Sequence, residues 1–346
     1  MLTNKTKKII IALAVILVII AAIILPKFYF KYFADNVKTT EKVYLYIPTN
    51  AGYEQLKDSI AKVNFLKRPG YFYSLASDRA LQTKFKPGKY AVKPGMNNRA
   101  IINMLIAGNQ EPVDISFRNI RLKENFAKSV SQKLEFDSVS LMQLLNSAQF
   151  VGEYGFTKDN IYTMFIPNSY EMFWNTSAKD FFLRMNKEYK SFWTSERLKK
   201  AEDLKLTPQQ VTILASIVDA EALADKEMPT IAGLYLNRLR SGIKLEADPT
   251  VIFANNDFTI RRVLNRHLTK ESPYNTYRVR GLPPGPIMMP SINAIDATLS
   301  PEKHNYIYMC AKEDFSGYHN FATTLAEHLV NARKFQAALN QRNIKK

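Results

Sequence analysis

The sequence predicts an α+β protein with a single N-terminal transmembrane helix, a small α+β module and a larger α+β domain. Three observations carry this. An unbroken apolar run from Ile9 to Leu25, about 17 residues long, sits at the lower limit for a bilayer-spanning helix. Residues 43–110 alternate short strand patterns with helical ones. Beyond residue 123 most segments carry a helical period, interrupted by short extended stretches and one proline-rich segment.

Taken in order, residues 1–8 form a short tail whose Lys5, Lys7 and Lys8 favour a cytoplasmic N-terminus. Residues 9–30 are the anchor, with Phe28, Tyr29 and Phe30 extending it into the interface as an aromatic belt. A cleaved signal peptide is the competing reading, but Ile23-Ile24-Leu25-Pro26 offers no small-x-small cleavage site. Residues 31–42 read as a juxtamembrane linker. Val43 to Ile47 is strand-like and ends at Pro48. Helical patterns follow over Tyr53–Val63 and from Arg68 towards Leu81. Lys89–Val92 is a second strand between Pro87-Gly88 and Pro94-Gly95 turns. Asn98 to Ala107 is helical and stops at Gly108, which closes a module of residues 43–110. Val113 to Leu122 reads as a strand.

Residues 111–206 are mainly helical and rich in aromatics, except for a strand or loop at Met164–Tyr170 containing Pro167. Residues 207–346 form the last part. Thr207 suits a helix cap, Pro208 the first helical position and Gln210 the third, a capping box that opens the helix running on from Val211. A second helix runs from Met228 to Arg240 and ends at Ser241-Gly242. An irregular segment spans Glu271 to Pro290.

A chain of 346 residues has room for an anchor and two or more domains, and 46% hydrophobic content excludes a disordered chain. The net charge of +17 calls for an anionic partner: nucleic acid, anionic lipid or an acidic cell-wall polymer. With everything after residue 30 outside the cytoplasm, nucleic acid is the poorest of the three. The single Cys310 excludes an intramolecular disulfide.

The residue with the clearest chemical meaning is Glu221. At about 100° per residue, Val211, Leu214, Ile217 and Val218 share one helix face, and Glu221 falls among them. A carboxyl on a buried face is desolvated, so its pKa rises and it stays protonated near neutrality, ready to act as an acid. The plainer alternative is a structural glutamate paired with an arginine. Asp219 points to the other side of the helix. There is no His-Glu-x-x-His motif, no Cys/His cluster, no Gly-x-Ser-x-Gly elbow and no phosphate-binding loop, and His267, His304, His319 and His328 are scattered. No metal or cofactor is expected. That leaves carboxylate chemistry. Asp248 and Glu246 are the candidates for a second acid, although Asp248-Pro249 also reads as a helix cap and first residue. The stretches Tyr274-Asn275-Thr276-Tyr277 and Gly281-Leu282-Pro283-Pro284-Gly285-Pro286 make a stiff loop with aromatic faces and amides, suited to a sugar ring or simply to covering a core.

These blocks together resemble the endolytic murein transglycosylases, the MltG or YceG-like family. The resemblance rests on Leu214-Ala215-Ser216-Ile217-Val218-Asp219-Ala220-Glu221, Asn237-Arg238-Leu239, Asp248-Pro249-Thr250-Val251-Ile252, Tyr274–Tyr277, Gly281–Ile287 and His319-x-Phe321, in that order. It extends to Lys89-Tyr90, Pro94-Gly95-Met96, Pro167-Asn168-Ser169-Tyr170 and the anchor, and so covers nearly the whole chain. It implies that Glu221 is the catalytic glutamate, on a helix of a larger α+β catalytic domain. It implies that residues 43–110 are a LysM-like module. Asp219 departs from the pattern, since many members carry glutamate there.

The resemblance further implies cleavage of the MurNAc-β-1,4-GlcNAc bond of peptidoglycan with a 1,6-anhydro ring as product, a reaction that one carboxyl serves as acid and then as base. Asn237, Asp248, Thr250, Asn275, Tyr277 and His319 are the candidates for shaping the substrate site. The expected partners are glycan strands, the membrane and, more distantly, peptidoglycan synthases. The expected location is the cytoplasmic membrane, single-pass, with the C-terminal domains on the extracytoplasmic or periplasmic side. A hydrolytic muramidase, which needs a second carboxylate, and a non-enzymatic glycan-binding scaffold are the alternatives.

Overall fold

A computed structural model describes residues 4–342. The first three residues of the expected tail and the last four of the expected C-terminal part lie outside the described residues. The chain divides into two compact units: one of residues 1–114, 133–135 and 171–176, the other of the remainder.

The first unit opens with α1 (Asn4–Tyr32), the one described helix long and apolar enough to cross a membrane, with mean hydropathy 3.4 and none of its side chains buried. It takes in Lys5, Lys7 and Lys8 and continues through Pro26. Then follow β1 (Val43–Ile47), α2 (Tyr53–Val63), α3 (Pro69–Asp78), α4 (Leu81–Lys84), β2 (Gly88–Val92) and α5 (Asn98–Ala107). The strands are antiparallel neighbours, with Leu45 opposite Tyr90. Their inner faces and the apolar stripes of the helices bury Leu45, Ile47, Leu56, Phe65, Phe72, Tyr90 and Ile102 in one core. The helix ends follow local chemistry. Asn97 caps α5 by accepting from the Ala100 amide, and Gly108 ends it in the left-handed conformation that glycine adopts without strain.

One expectation is corrected here. Residues 31–42 are not a free linker. The first helix runs on to Tyr32, and Asn98 donates to the Phe30 and Lys31 carbonyls at 3.3 and 3.2 Å. Val37 is buried and bridges to Leu66, while the Asn36 amide bonds Asn98 at 2.6 Å. Buried amides that satisfy one another fix this segment in place. Periodicity could not show this, because the segment has none.

The second unit holds α6 (Lys123–Ser131), α7 (Ser138–Asn146), α8 (Ala148–Gly152), α9 (Ala178–Phe192), α10 (Ser195–Asp203), α11 (Pro208–Glu221), α12 (Met228–Arg240), α13 (Asp248–Asn255), α14 (Asn265–Leu268), α15 (Ile292–Leu299) and α16 (Leu325–Gln341). β3 (Val113–Phe117) pairs with β4 (Asn168–Met172), and β5 (Tyr308–Ala311) pairs antiparallel with β6 (His319–Ala322). The strand expected over Val113–Leu122 stops at Phe117, because Asn119 takes a positive φ of 54° that no ladder accommodates. Pro167 immediately precedes β4, a position where the missing N–H loses no ladder bond.

The central element is α11. Thr207 and Gln210 form the expected capping box, and every residue from Val211 to Val218 is buried. Helices α12, α13 and α15 pack around it. The proline-rich loop is tied to it by the Ile287 amide, which donates to the Ser216 hydroxyl at 3.1 Å. Gly285 lies so close to the Asp159 carbonyl that a methyl group there would overlap it. Gly285→Ala is therefore expected to destabilise this unit by about 1–3 kcal/mol in urea unfolding, the usual penalty of overpacking; an unchanged midpoint would mean that the loop yields freely.

Candidate active site

Glu221 is the last residue of α11, and the chain leaves the helix at Ala222 in extended conformation. The eight buried residues before it carry its side chain out of the core and onto the wall of a cavity of about 280 Å³. The Tyr235 hydroxyl, from α12, donates to Glu221 Oε1 at 3.0 Å. Burial pushes the Glu221 carboxyl up to about 7, and the negative charge of Asp248 pushes in the same direction; the Tyr235 bond opposes both. A half-buried acid that keeps its proton near neutrality is suited to protonating a leaving oxygen.

Asp248 lines the same cavity. It does not cap α13, as the sequence suggested: Ala247 holds the cap position without a side-chain bond, and Asp248 is the first helical residue. Its Oδ1 instead accepts from the Tyr277 hydroxyl at 2.7 Å. Burial raises the Asp248 pKa, and the Tyr277 bond lowers it. His319 is the third expected residue on the wall, and Tyr277 the fourth.

The other three candidates stand behind the wall. Thr250 is fully buried, bonded to the Ala247 carbonyl at 2.6 Å and to the Thr276 hydroxyl at 2.7 Å. These bonds tie the start of α13, where Asp248 sits, to the 272–277 turn. Asn275 donates to the Leu268 and Lys270 carbonyls and accepts from the Tyr277 amide at 3.1 Å. It therefore sets the backbone that presents Tyr277. Asn237 donates to the carbonyls of His304 and Tyr306 at 2.8 and 3.1 Å. None of the three lines the cavity; each orders a segment that does, or one next to it.

Several wall residues were missed in the sequence. Tyr235 and Arg238 are three apart on α12 and so share a face, a signal that was present. Tyr308 and His328 also line the cavity, as does Glu246, the other candidate for a second acid. Glu246 reaches it through a positive φ of 53°, and Tyr308 through the β5–β6 hairpin; neither feature has a sequence pattern. Arg238 is 5% exposed, donates to the Lys244 and Ile307 carbonyls at 2.7 Å each, and pairs with Glu246. It joins the loop before α13 to the start of β5. The plainer alternative for Glu221, a pairing with arginine, is not what the structure holds: its protein partner is a tyrosine. Asp219 is turned away and accepts from the Ser291 amide and hydroxyl at 2.8 and 3.0 Å, which fixes the start of α15.

The fold and cavity thus define an α+β protein with a carboxyl of raised pKa at the end of a buried helix, on the wall of a cavity. The chain belongs to the YceG-like family, whose sequence profile matches residues 45–334. A Bacillus subtilis protein named endolytic murein transglycosylase is 26% identical over 321 residues, covering 88% of this chain and 87% of the relative. A Streptococcus pneumoniae protein of the same name is 28% identical over 110 residues, which is 31% of this chain and 20% of that one. A solved yceG-like protein of Listeria monocytogenes shares the fold, with a TM-score of 0.56 at 22% identity over 84% of this chain and 99% of its own.

Proposed function

We propose that this protein is an endolytic peptidoglycan lytic transglycosylase that cuts the MurNAc-β-1,4-GlcNAc bond and leaves 1,6-anhydro-MurNAc ends. The observation that carries this is the Glu221 carboxyl, its pKa pushed up to about 7 on the wall of a polar cavity, within the stretch that the family profile matches. Glu221 protonates the glycosidic oxygen, and the bond to the MurNAc anomeric carbon breaks. The carbon gains oxocarbenium character. Glu221, now a carboxylate, takes the proton of the C6 hydroxyl as that oxygen closes on the anomeric carbon. The proton count balances, and no water is consumed. The Asp248 carboxylate, where ionised, stands on the same wall and stabilises the positive charge developing on the ring.

The presence of Asp248 beside Glu221 also favours a second reading, hydrolysis with Asp248 as the partner acid. Mass spectrometry of the fragments released from peptidoglycan separates the two. Anhydro ends, one water lighter, are expected. Reducing ends that disappear in Asp248→Asn would make the protein a muramidase. Release of neither, with glycan binding intact, would leave the scaffold reading.

Activity is expected to fall as pH rises through about 7, where Glu221 loses its proton. Because the Tyr235 bond favours the carboxylate, Tyr235→Phe moves that alkaline limb upward by roughly one pH unit. A limb that stays put or moves down would separate Tyr235 from the ionisation of Glu221.

Two antiparallel strands, β1 and β2, enclosing the helices α2 and α3 and the single-turn α4 support a LysM-like, glycan-holding role for residues 43–110. Helix α1 serves as a membrane anchor, and the basic residues at its start favour the orientation with the rest of the chain outside. The ordered segment after α1 supports action close to the membrane, on strands newly released by synthases. The net charge of +17 favours an anionic wall polymer as the surface it meets.

A further inference from the structure

Glu227 is a buried carboxylate that the proposed chemistry does not use. It is 6% exposed, in the turn that leads into α12. Both of its oxygens go to one residue: Oε1 accepts from the His319 amide and Oε2 bonds the His319 ring at Nδ1, each at 2.8 Å. His319 opens β6 opposite Ala311, so its backbone is held by the hairpin as well. The ring lines the cavity that contains Glu221, and its side chain is 14% exposed. Among the described residues no group hydrogen-bonds its Nε2.

An ionised carboxylate only accepts hydrogen bonds. Nδ1 must then carry the ring proton, and in the neutral imidazole Nε2 presents a lone pair. We propose that Glu227 is a positioning residue that locks His319 in the Nδ1–H tautomer, so that Nε2 accepts a hydrogen bond from a sugar hydroxyl of the glycan bound beside Glu221. The inference rests on the glycan-cleaving reading above. A sugar presents mostly hydroxyls, which must donate somewhere when buried, and an acceptor at fixed position turns each one's own lone pairs in a defined direction. The competing role for Glu227 is a pin between the α12 start and β6, indifferent to which ring nitrogen holds the proton.

The test uses the full-length chain in detergent with histidine ring nitrogens labelled by 15N; four histidines give a resolvable spectrum. Above pH 8 the wild type is expected to show His319 with protonated Nδ1 and bare Nε2. A proton on Nε2 would overturn the proposal without any variant. Glu227→Gln keeps the shape and both contacts: its amide oxygen accepts from the His319 N–H and its NH2 donates to Nδ1. The ring proton must then move to Nε2. Inversion of the tautomer with a loss of kcat/KM of about tenfold or more is the expected result. Inversion with kcat/KM unchanged would leave only the pin.

Should Glu227→Gln not fold, Glu221→Gln bound to a GlcNAc–MurNAc tetrasaccharide gives the answer. The His319 Nε2 resonance is expected to shift on binding, and a resonance that does not move overturns the proposal. Failure of the functional reading is separate, since wild type would then release no cleaved glycan at all.

Discussion

Glu221→Gln is expected to remove peptidoglycan cleavage by at least the roughly 10²–10⁴-fold that general acid–base catalysis supplies, and at the same time to make the protein more stable at alkaline pH. The glutamine keeps the oxygen that accepts from Tyr235 but carries no titrating proton. In the wild type the folded carboxyl titrates at about 7 against an ordinary 4.5. Between those values the folded state holds more protons than the unfolded one, so stability falls as pH rises. The loss is complete above about 7 and amounts to about 3 kcal/mol at 1.36 kcal/mol per pH unit. The variant, free of this loss, should match the wild type near pH 4 and exceed it by up to that amount near pH 8. Urea unfolding at the two pH values measures the difference. A variant that is inactive but gains nothing at pH 8 would place Glu221 in water; one that gains stability and stays active would free it from the chemistry. The expected pairing of lost activity with gained stability is the signature of a group held in an unfavourable state for its function.

Arg238→Met is expected to destabilise the larger unit by about 3–5 kcal/mol, since charge-assisted hydrogen bonds contribute roughly 1.5–3 kcal/mol each. The guanidinium is buried and meets the Lys244 and Ile307 carbonyls at 2.7 Å each. Its bond to Glu246 adds less, because that carboxylate is 44% exposed and water screens it. Methionine fills much of the space but donates nothing, so two segments lose the group that joins them. Arg238→Lys should recover only part of the loss, as one ammonium on a flexible stem cannot span acceptors that the planar fork reaches together. Because Glu246, Tyr308 and Leu245 share the cavity wall with Glu221, catalysis should fall beyond the loss of stability. A change under about 1 kcal/mol in urea unfolding would show that the carbonyls find other donors.

Parts of this protein were legible without coordinates because they depend on neighbours along the chain. The boundaries of α2, α5 and α12 agree with their periodicity and stop signals, since caps and left-handed glycines act within a single turn. Glu221 was legible for the same reason: an acid that continues an apolar stripe is anomalous wherever the stripe packs. The hydrophobicity of α1 needs no partner at all to be read.

Other parts were decided only by folding. Asp248 looks like a cap when only its own turn is considered, but Tyr277, 29 residues away, takes its oxygen. Asn237, Thr250 and Asn275 look like site residues, yet their polar atoms are spent on backbone carbonyls and neighbouring hydroxyls inside the protein. Residues 31–42 look like a linker, yet Asn36 and Val37 are buried. The partner of Glu227 is 92 residues distant, and the Ile307 carbonyl that Arg238 meets is 69. The division follows from range. Helical period, capping and hydropathy are local properties that the order of residues determines by itself. Burial of a polar group and the choice of its hydrogen-bond partner depend on which distant segments the tertiary structure brings within 3 Å.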